Sequence, residues 1–295
     1  MELEILGGFL AVLAAVTTAG RYYYIRRTTH PRGVMYAMFV SFLIGSIFFV
    51  PISIILNYPN FGLSRFGAFI FVLAGALVPL IQGCDFEGTR RIGASRASPI
   101  LMGYLLIASF IGVIFLGETV GALHGVGIIV LFCGVVMVSY ESGENDRNSK
   151  SGFSLDLIFP LVAMLGAGIQ VPLVSLGLTG GVPITIGLAI NYSVSVAILG
   201  AFFKVRGWSL TEPFNVQEKD LYFGVSAAVI SFAIFYFLAL SIAPVSVVTP
   251  LRGTGPLFVL VISYLYLKKL ETITKVLAFG VFLTVMGAMF VGVFM

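Results

Sequence analysis

The sequence predicts an all-α integral membrane protein: ten transmembrane helices arranged as two inverted five-helix repeats around a central cavity. Three observations predict it. Of 295 residues, 59% are hydrophobic and only 10% charged, with mean hydropathy +1.06, whereas soluble domains carry about a quarter of their residues as charges. Apolar runs long enough to cross the hydrocarbon, about 20 residues each, occur five times on either side of one water-loving stretch. The marks of the first five runs then return in order in the last five, with the charge bias of the loops reversed.

The runs cover about 3–24, 33–56, 66–86, 97–116, 121–140, 156–176, 183–203, 220–240, 246–267 and 273–294. The first opens on "MELEILGGF", with Glu2 and Glu4 where a cleavable signal would be basic, so it reads as a span. The third closes on "IQGCDFEGTRR", bringing Asp85 and Glu87 to its end. The fourth holds Pro99 and ends in "FLGE" (115–118). The fifth carries Gly127 and Gly134, seven residues apart and so on one helix face after two turns. The stretch "ESGENDRNSKSG" (141–152) is polar and charged and reads as a linker, which divides the chain into 1–140, 141–155 and 156–295. The sixth run sets Gln170 beside Pro172, and the seventh contains Asn191. The ninth, "SVVTPLRGTGPLFVLVISYLYL", places Arg252 between Pro250 and Pro256 with Gly253 and Gly255 at hand. The tenth repeats the seven-residue glycine spacing at Gly280 and Gly287.

The halves match. "ASRASPI" (94–100) falls on "VSVVTPL" after a shift of 151, which puts Pro99 on Pro250 and Ser98 on Thr249. Further on the shift is 153, with Glu118 on Glu271, Gly127 on Gly280 and Gly134 on Gly287. Five spans are an odd number, so the second copy must enter the membrane upside down. The charges agree. Fifteen of the 17 basic residues follow spans 1, 3, 5, 7 and 9, the exceptions being Arg65 and Arg252. The positive-inside rule then places the linker 141–152 in the cytoplasm and both termini outside, in a multi-pass protein of the cell membrane.

Five plus five spans, the "P…LGE" pattern from Pro99 to Glu118, and "YFLALSIAPVSVVTP" (236–250) leading into the ninth span resemble the drug/metabolite transporter superfamily, EamA-like branch. The resemblance covers the whole chain, one unit per half. Half two has "LKKLE" where that family usually has "LGE", and the aromatic common at the end of the third span is Tyr236 in half two but Asp85 in half one. The resemblance implies a secondary transporter working by alternating access, often an exporter of amino acids or other small organic metabolites. It implies a cavity between the halves, lined by spans 1, 3, 4, 6, 8 and 9. Inverted repeats place such a site near the midplane, beside interrupted helices.

Several residues could carry chemistry there. An uncompensated cation at the bilayer centre costs about 2.5–3.5 kcal/mol, and a proline frees a carbonyl one turn back. Arg252 with Pro250, Gly253, Gly255 and Pro256 therefore reads as a hinge facing the solute, with the arginine drawing a carboxylate, or else as a residue that reaches the interface or pairs structurally. Asp85 is a candidate proton carrier, against an interfacial ion pair with Arg90 and Arg91. Polar residues inside apolar spans must find hydrogen bonds: Thr17, Thr18, Gln82, Gln170, Asn191 and Ser231. A shift of 148 sets Gln170 on Tyr22, so spans 1 and 6 would show these two to the cavity, with Arg21 an anchor at the cytoplasmic end. Pro99 and Pro172 are further hinge candidates, and Tyr236 a further wall residue. Glu118 and Glu271 precede spans 5 and 10 and read as complements of those helix dipoles.

Two other classes fit less well, an intramembrane enzyme and a non-transporting membrane scaffold, the second because the loops are too short to present much binding surface. No His-x-x-x-His, Gly-x-Ser-x-Gly or Walker pattern is present, which argues against an intramembrane enzyme. Cys84 and Cys133 lie in separate apolar runs without ligand-spaced partners, so no metal or other cofactor is expected. The net charge of +4 resides in short loops, where it sets orientation and is no sign of nucleic-acid binding. The expected partners are the lipid bilayer and a small solute, anionic or zwitterionic.

Overall fold

In this computed structural model the described residues are 2–115, 121–144, 155–243 and 245–293. Glu118 and most of the linker lie outside them. The first half consists of α1 (Glu2–Arg26), α2 (Gly33–Asn57), α3 (Arg65–Ile92), α4 (Ala94–Met102), α5 (Tyr104–Phe115) and α6 (Ala122–Glu144). A 3-10 turn, Leu155–Leu157, opens the second half. There follow α7 (Ile158–Thr179), α8 (Ile184–Val205), the one-turn α9 (Glu212–Asn215), α10 (Lys219–Ile242), α11 (Val245–Arg252), α12 (Gly255–Tyr266) and α13 (Lys275–Val293). Nine segments among the described residues are long and apolar enough to cross a membrane by themselves, α4 and α5 counting as one, and α11 with α12 supplies the tenth crossing. Helices satisfy their own backbone groups, which lipid cannot do. Their outward faces stay apolar, with Ile47 and Ile55 on α2, Phe66 and Phe69 on α3, and Phe279 and Phe282 on α13 all exposed.

Helix pairing shows the inverted repeat. α1 packs on α10 and α3 on α7; exchanging the halves turns one contact into the other. α2 packs on α8 and α6 on α13, so each of these meets its own counterpart. The α6–α13 seam is the most extensive, and the four glycines matched by the shift of 153 form it. A Cβ on Gly127 would lie 2.8 Å from the Val291 backbone nitrogen, and one on Gly280 2.8 Å from a Val138 methyl. Gly134 and Gly287 face the backbones of Thr284 and Leu131 more closely still. Small residues are what let two membrane helices come this near.

The fourth span of each half is broken in the same way. At the end of α4 the Gly103 N–H donates to the Ile100 carbonyl (3.0 Å) and the Leu106 N–H to the Gly103 carbonyl (3.0 Å). At the end of α11 the Thr254 N–H donates to Leu251 (3.2 Å) and the Leu257 N–H to Thr254 (2.9 Å). Each of these residues lies 151 positions after its counterpart. In half two the cause is legible: Pro256 has no N–H for the Arg252 carbonyl, while in the first turn of α12 the missing donor costs nothing. Two expectations need correction. Pro99 and Pro250 lie inside α4 and α11, ahead of the breaks and not at them. Pro172 does not break its helix: α7 runs from Ile158 to Thr179 and packs on α3 and α5.

The loops after α1, α3, α8 and α12 meet at one face, the basic face. The charged ties between the halves lie at the basic face. Arg26 pairs with Glu271 (3.2 Å), Arg32 with Glu212 (3.1 Å) and Arg91 with Asp156 (2.7 Å). Glu271 was expected to serve the dipole of its own following helix, α13. Instead it caps α4 of the other half, accepting from the Ala94 N–H (2.6 Å), the Ser95 N–H (3.1 Å) and the Ser95 hydroxyl (2.5 Å). Gly93, at φ 101°, brings the chain into α4 close over that carboxylate, a conformation that favours glycine.

Candidate functional site

Between the halves lies a cavity of about 330 Å³. α1, α3, α4, α7, α10 and α11 line it, as the six expected spans require, and Tyr104 at the start of α5 adds to the fourth of them. α2 adds Phe42, and α8 adds Leu188, Asn191, Tyr192 and Ser195. Neither span was among the six expected to line it, although Asn191 on α8 was itself a candidate. Both contribute because α2 and α8 pack on each other behind the cavity and complete its wall.

Asp85 is buried on α3, 2% exposed. The Tyr22 hydroxyl donates to its Oδ1 (2.9 Å), and Arg21 Nη2 lies 3.1 Å from its Oδ2. The guanidinium of Arg21 is stacked 4.8 Å from the Tyr22 ring centre and 5.7 Å from that of Phe86. Arg21 is therefore not an anchor at the membrane surface. It turns inward because a carboxylate at matching depth on α3 offers it a partner. The interfacial pairing foreseen for the end of the third span goes to Glu87 alone, which holds Arg90 (2.8 Å) and Arg91 (2.6 Å).

Arg252 lines the cavity from the last turn of α11. That turn is the negative end of a helix dipole and suits a cation. No carboxylate among the described residues pairs with it. Its guanidinium carbon lies 5.1 Å from the Phe232 ring centre and 4.7 Å from that of Tyr236. These two rings are stacked on each other at 5.6 Å. Tyr236 thus does not line the cavity as expected. It lies one turn along α10 from Phe232, which does, and supports Arg252 from behind.

Gln170 and Asn191 both reach the cavity wall. The Ser195 hydroxyl donates to the Gly75 carbonyl (3.0 Å) and so fixes α8 against α3 at this level. Three polar atoms at the wall, Asn191 Oδ1, Ser98 Oγ and Arg21 Nε, are buried without a hydrogen-bond partner in the protein. Such atoms are costly unless a bound molecule satisfies them. Arg21, Tyr104, Tyr192 and Phe232 went unmarked in the sequence. An arginine at the end of an apolar run looks like a surface anchor, and one more aromatic in a chain with 27 Phe and 12 Tyr carries no signal.

A solute cavity between inverted repeats, beside two broken helices, is the architecture of a transporter. The EamA-like transporter family matches residues 5–140 and again 155–293. The chain belongs to the EamA-like transporter family. It is a multi-pass membrane transporter of small solutes, built from two EamA-like repeats. No curated protein matches the chain. A crystal structure of another protein superposes on 98% of this EamA-like chain and 96% of its own length, with a TM-score of 0.58 and 14% identity, and so shares the fold.

Proposed function

We propose that this protein moves a small carboxylate-bearing metabolite, anionic or zwitterionic, by alternating access, with Asp85 as the site of proton coupling. The observation that carries the reading is Arg252, a cation on the cavity wall with aromatic rings behind it and no carboxylate partner among the described residues. The solute's carboxylate completes that site. Asn191, Ser98 and Gln170 offer hydrogen bonds to its other polar groups, and apolar side chains such as Ile81, Leu101 and Leu188 enclose its carbon skeleton. The ion pairs across the basic face must open for the solute to reach that side. Amino acids and similar metabolites are the solutes, and export the direction, that the family likeness favours.

The experiment is a binding and counterflow panel of L-threonine, L-aspartate, L-lactate and succinate, with the neutral amides lactamide and succinamide beside the last two. A charge-assisted hydrogen bond is worth roughly 1.5–3 kcal/mol. Arg252→Gln should therefore weaken the carboxylate members that bind by about 10- to 150-fold. Arg252→Lys should recover part of this, since lysine keeps the charge and loses the planar fork. The amides should bind alike in all three proteins. Equal binding of every carboxylate to wild type and Arg252→Gln would overturn the proposal.

A further inference from the structure

Among the described residues three fixed charges face the cavity: Arg21, Asp85 and Arg252. The first two neutralise each other at 3.1 Å. Arg252 is left over, and arginine does not give up its proton in a protein. The cavity therefore holds one net positive charge while Asp85 is ionised and two if Asp85 is protonated. At no pH does the protein neutralise it from these residues. Elsewhere the buried or half-buried arginines have been given carboxylates: Arg26 has Glu271, and Arg96 has Glu141 at 2.8 Å. Around Arg252 the protein supplies the rings of Phe232 and Tyr236, with Tyr104 near enough to interact. Rings attract a cation without cancelling its charge. A charge walled in by apolar side chains stays costly until a counter-ion stands beside it.

We propose that a monovalent inorganic anion, chloride, occupies the site beside Arg252 when no organic solute is bound, and that the solute's carboxylate displaces it. The inference rests on Arg252 being the carboxylate seat. One surplus positive charge calls for one negative charge, so a divalent phosphate or sulfate would overshoot. The wall around the site is largely apolar and aromatic, which suits an anion that sheds its water readily. The carrier then passes between its two faces with an anion in the cavity, organic or inorganic, and chloride competes with the solute on either side.

The test uses purified full-length protein in detergent. Chloride is raised from zero to about 300 mM against isethionate at constant ionic strength, and the melting midpoint is followed. Ligands that bind only the folded state raise the midpoint saturably. Wild type should gain about 2–4 °C. Arg252→Gln should show no chloride response, while Arg206→Gln, on the exposed basic face, should respond as wild type does. Should Arg252→Gln not fold, Arg252→Lys replaces it, with a weaker chloride response expected. In wild type, saturating chloride should lower the apparent affinity for the carboxylate probes, L-threonine and L-lactate included, several-fold. A midpoint indifferent to chloride, or an equal response in Arg252→Gln, would overturn the anion site. The two proposals fail separately. Carboxylate binding lost in Arg252→Gln without any chloride effect sinks only this one. A chloride response that depends on Arg252, with no carboxylate probe sensitive to Arg252→Gln, keeps the chloride site but sinks both its displacement by solute and the proposed function.

Discussion

Asp85 has two carboxylate oxygens and two partners, one on each. Replacing it by asparagine keeps the shape, removes the proton site and leaves Arg21 without its counter-charge. Asp85→Asn should abolish pH-driven solute movement in proteoliposomes while solute exchange continues. Undiminished pH-driven transport in the variant would take Asp85 out of the mechanism. At the basic face Glu218 shows a different balance. Burial pushes its carboxyl up, but hydrogen bonds from the Thr29 hydroxyl, the His30 and Thr29 N–H groups and the Tyr222 hydroxyl outweigh this and hold it below its ordinary value. A carboxylate held low stabilises the fold above its unfolded value, about 4.3, and that contribution disappears as pH falls through the folded value. Glu218→Gln should therefore melt below wild type at about pH 7, and the two midpoints should converge as pH falls below the ordinary carboxylate range. A gap that stays constant across that range would show that the charge on Glu218 contributes nothing.

Among the elements, α4 depends on the other half for its start. Its first two N–H groups, like those of any helix, have no partner within it, and Gly93 has no side chain to cap them. Glu271 takes both and pairs with Arg26 as well. Removing one member of a buried ion pair costs roughly 3–5 kcal/mol, and Arg26 is partly exposed, which favours the lower end. Glu271→Ala should lower the melting midpoint by several degrees, and Glu271→Gln should recover part of the loss because an amide oxygen can still accept from the two N–H groups. It should also slow transport, since α4 carries Ser98 and Leu101 to the cavity wall. An Ala variant that melts and transports like wild type would show that α4 needs no cap from the other half.

At the level of the whole molecule, an even number of crossings would bring both chain ends to one side, opposite the basic face. By the positive-inside rule we propose that the basic face is cytoplasmic. Asn60, between α2 and α3, and Ser209, between α8 and α9, are exposed on opposite faces. With Cys84 and Cys133 replaced, Asn60→Cys should react with an impermeant thiol reagent in intact cells, and Ser209→Cys only after permeabilisation. The reverse pattern would invert the orientation. The charged ties across the basic face and the uncharged ones at the other, such as Asn57 Nδ2 to Thr185 Oγ1 at 2.9 Å and the Ser64 hydroxyl to the Gly180 carbonyl at 2.5 Å, give the two ends of the cavity different chemistry.

What the sequence determined by itself is the part governed by solvent and by local chemistry. In hydrocarbon a continuous apolar run of about 20 residues is stable as a helix that satisfies its own backbone groups, so the spans stand out. Repeats leave matched prolines and glycines, and Pro256 denies a donor to Arg252 wherever the chain folds. Arg252, Gln170 and Asn191 were visible because a polar group in an apolar run is conspicuous. Tertiary structure alone decided which charges meet. Arg21 and Asp85 are 64 positions apart, and Arg26 and Glu271 are 245 apart. No local rule distinguishes an arginine that points to headgroups from one that turns to a carboxylate on a neighbouring helix. That choice depends on the depth and rotation at which helices pack. Packing also decided that α2 and α8 close the wall, that the Tyr236 ring lies beside Arg252, and that a carboxylate in one half caps a helix in the other.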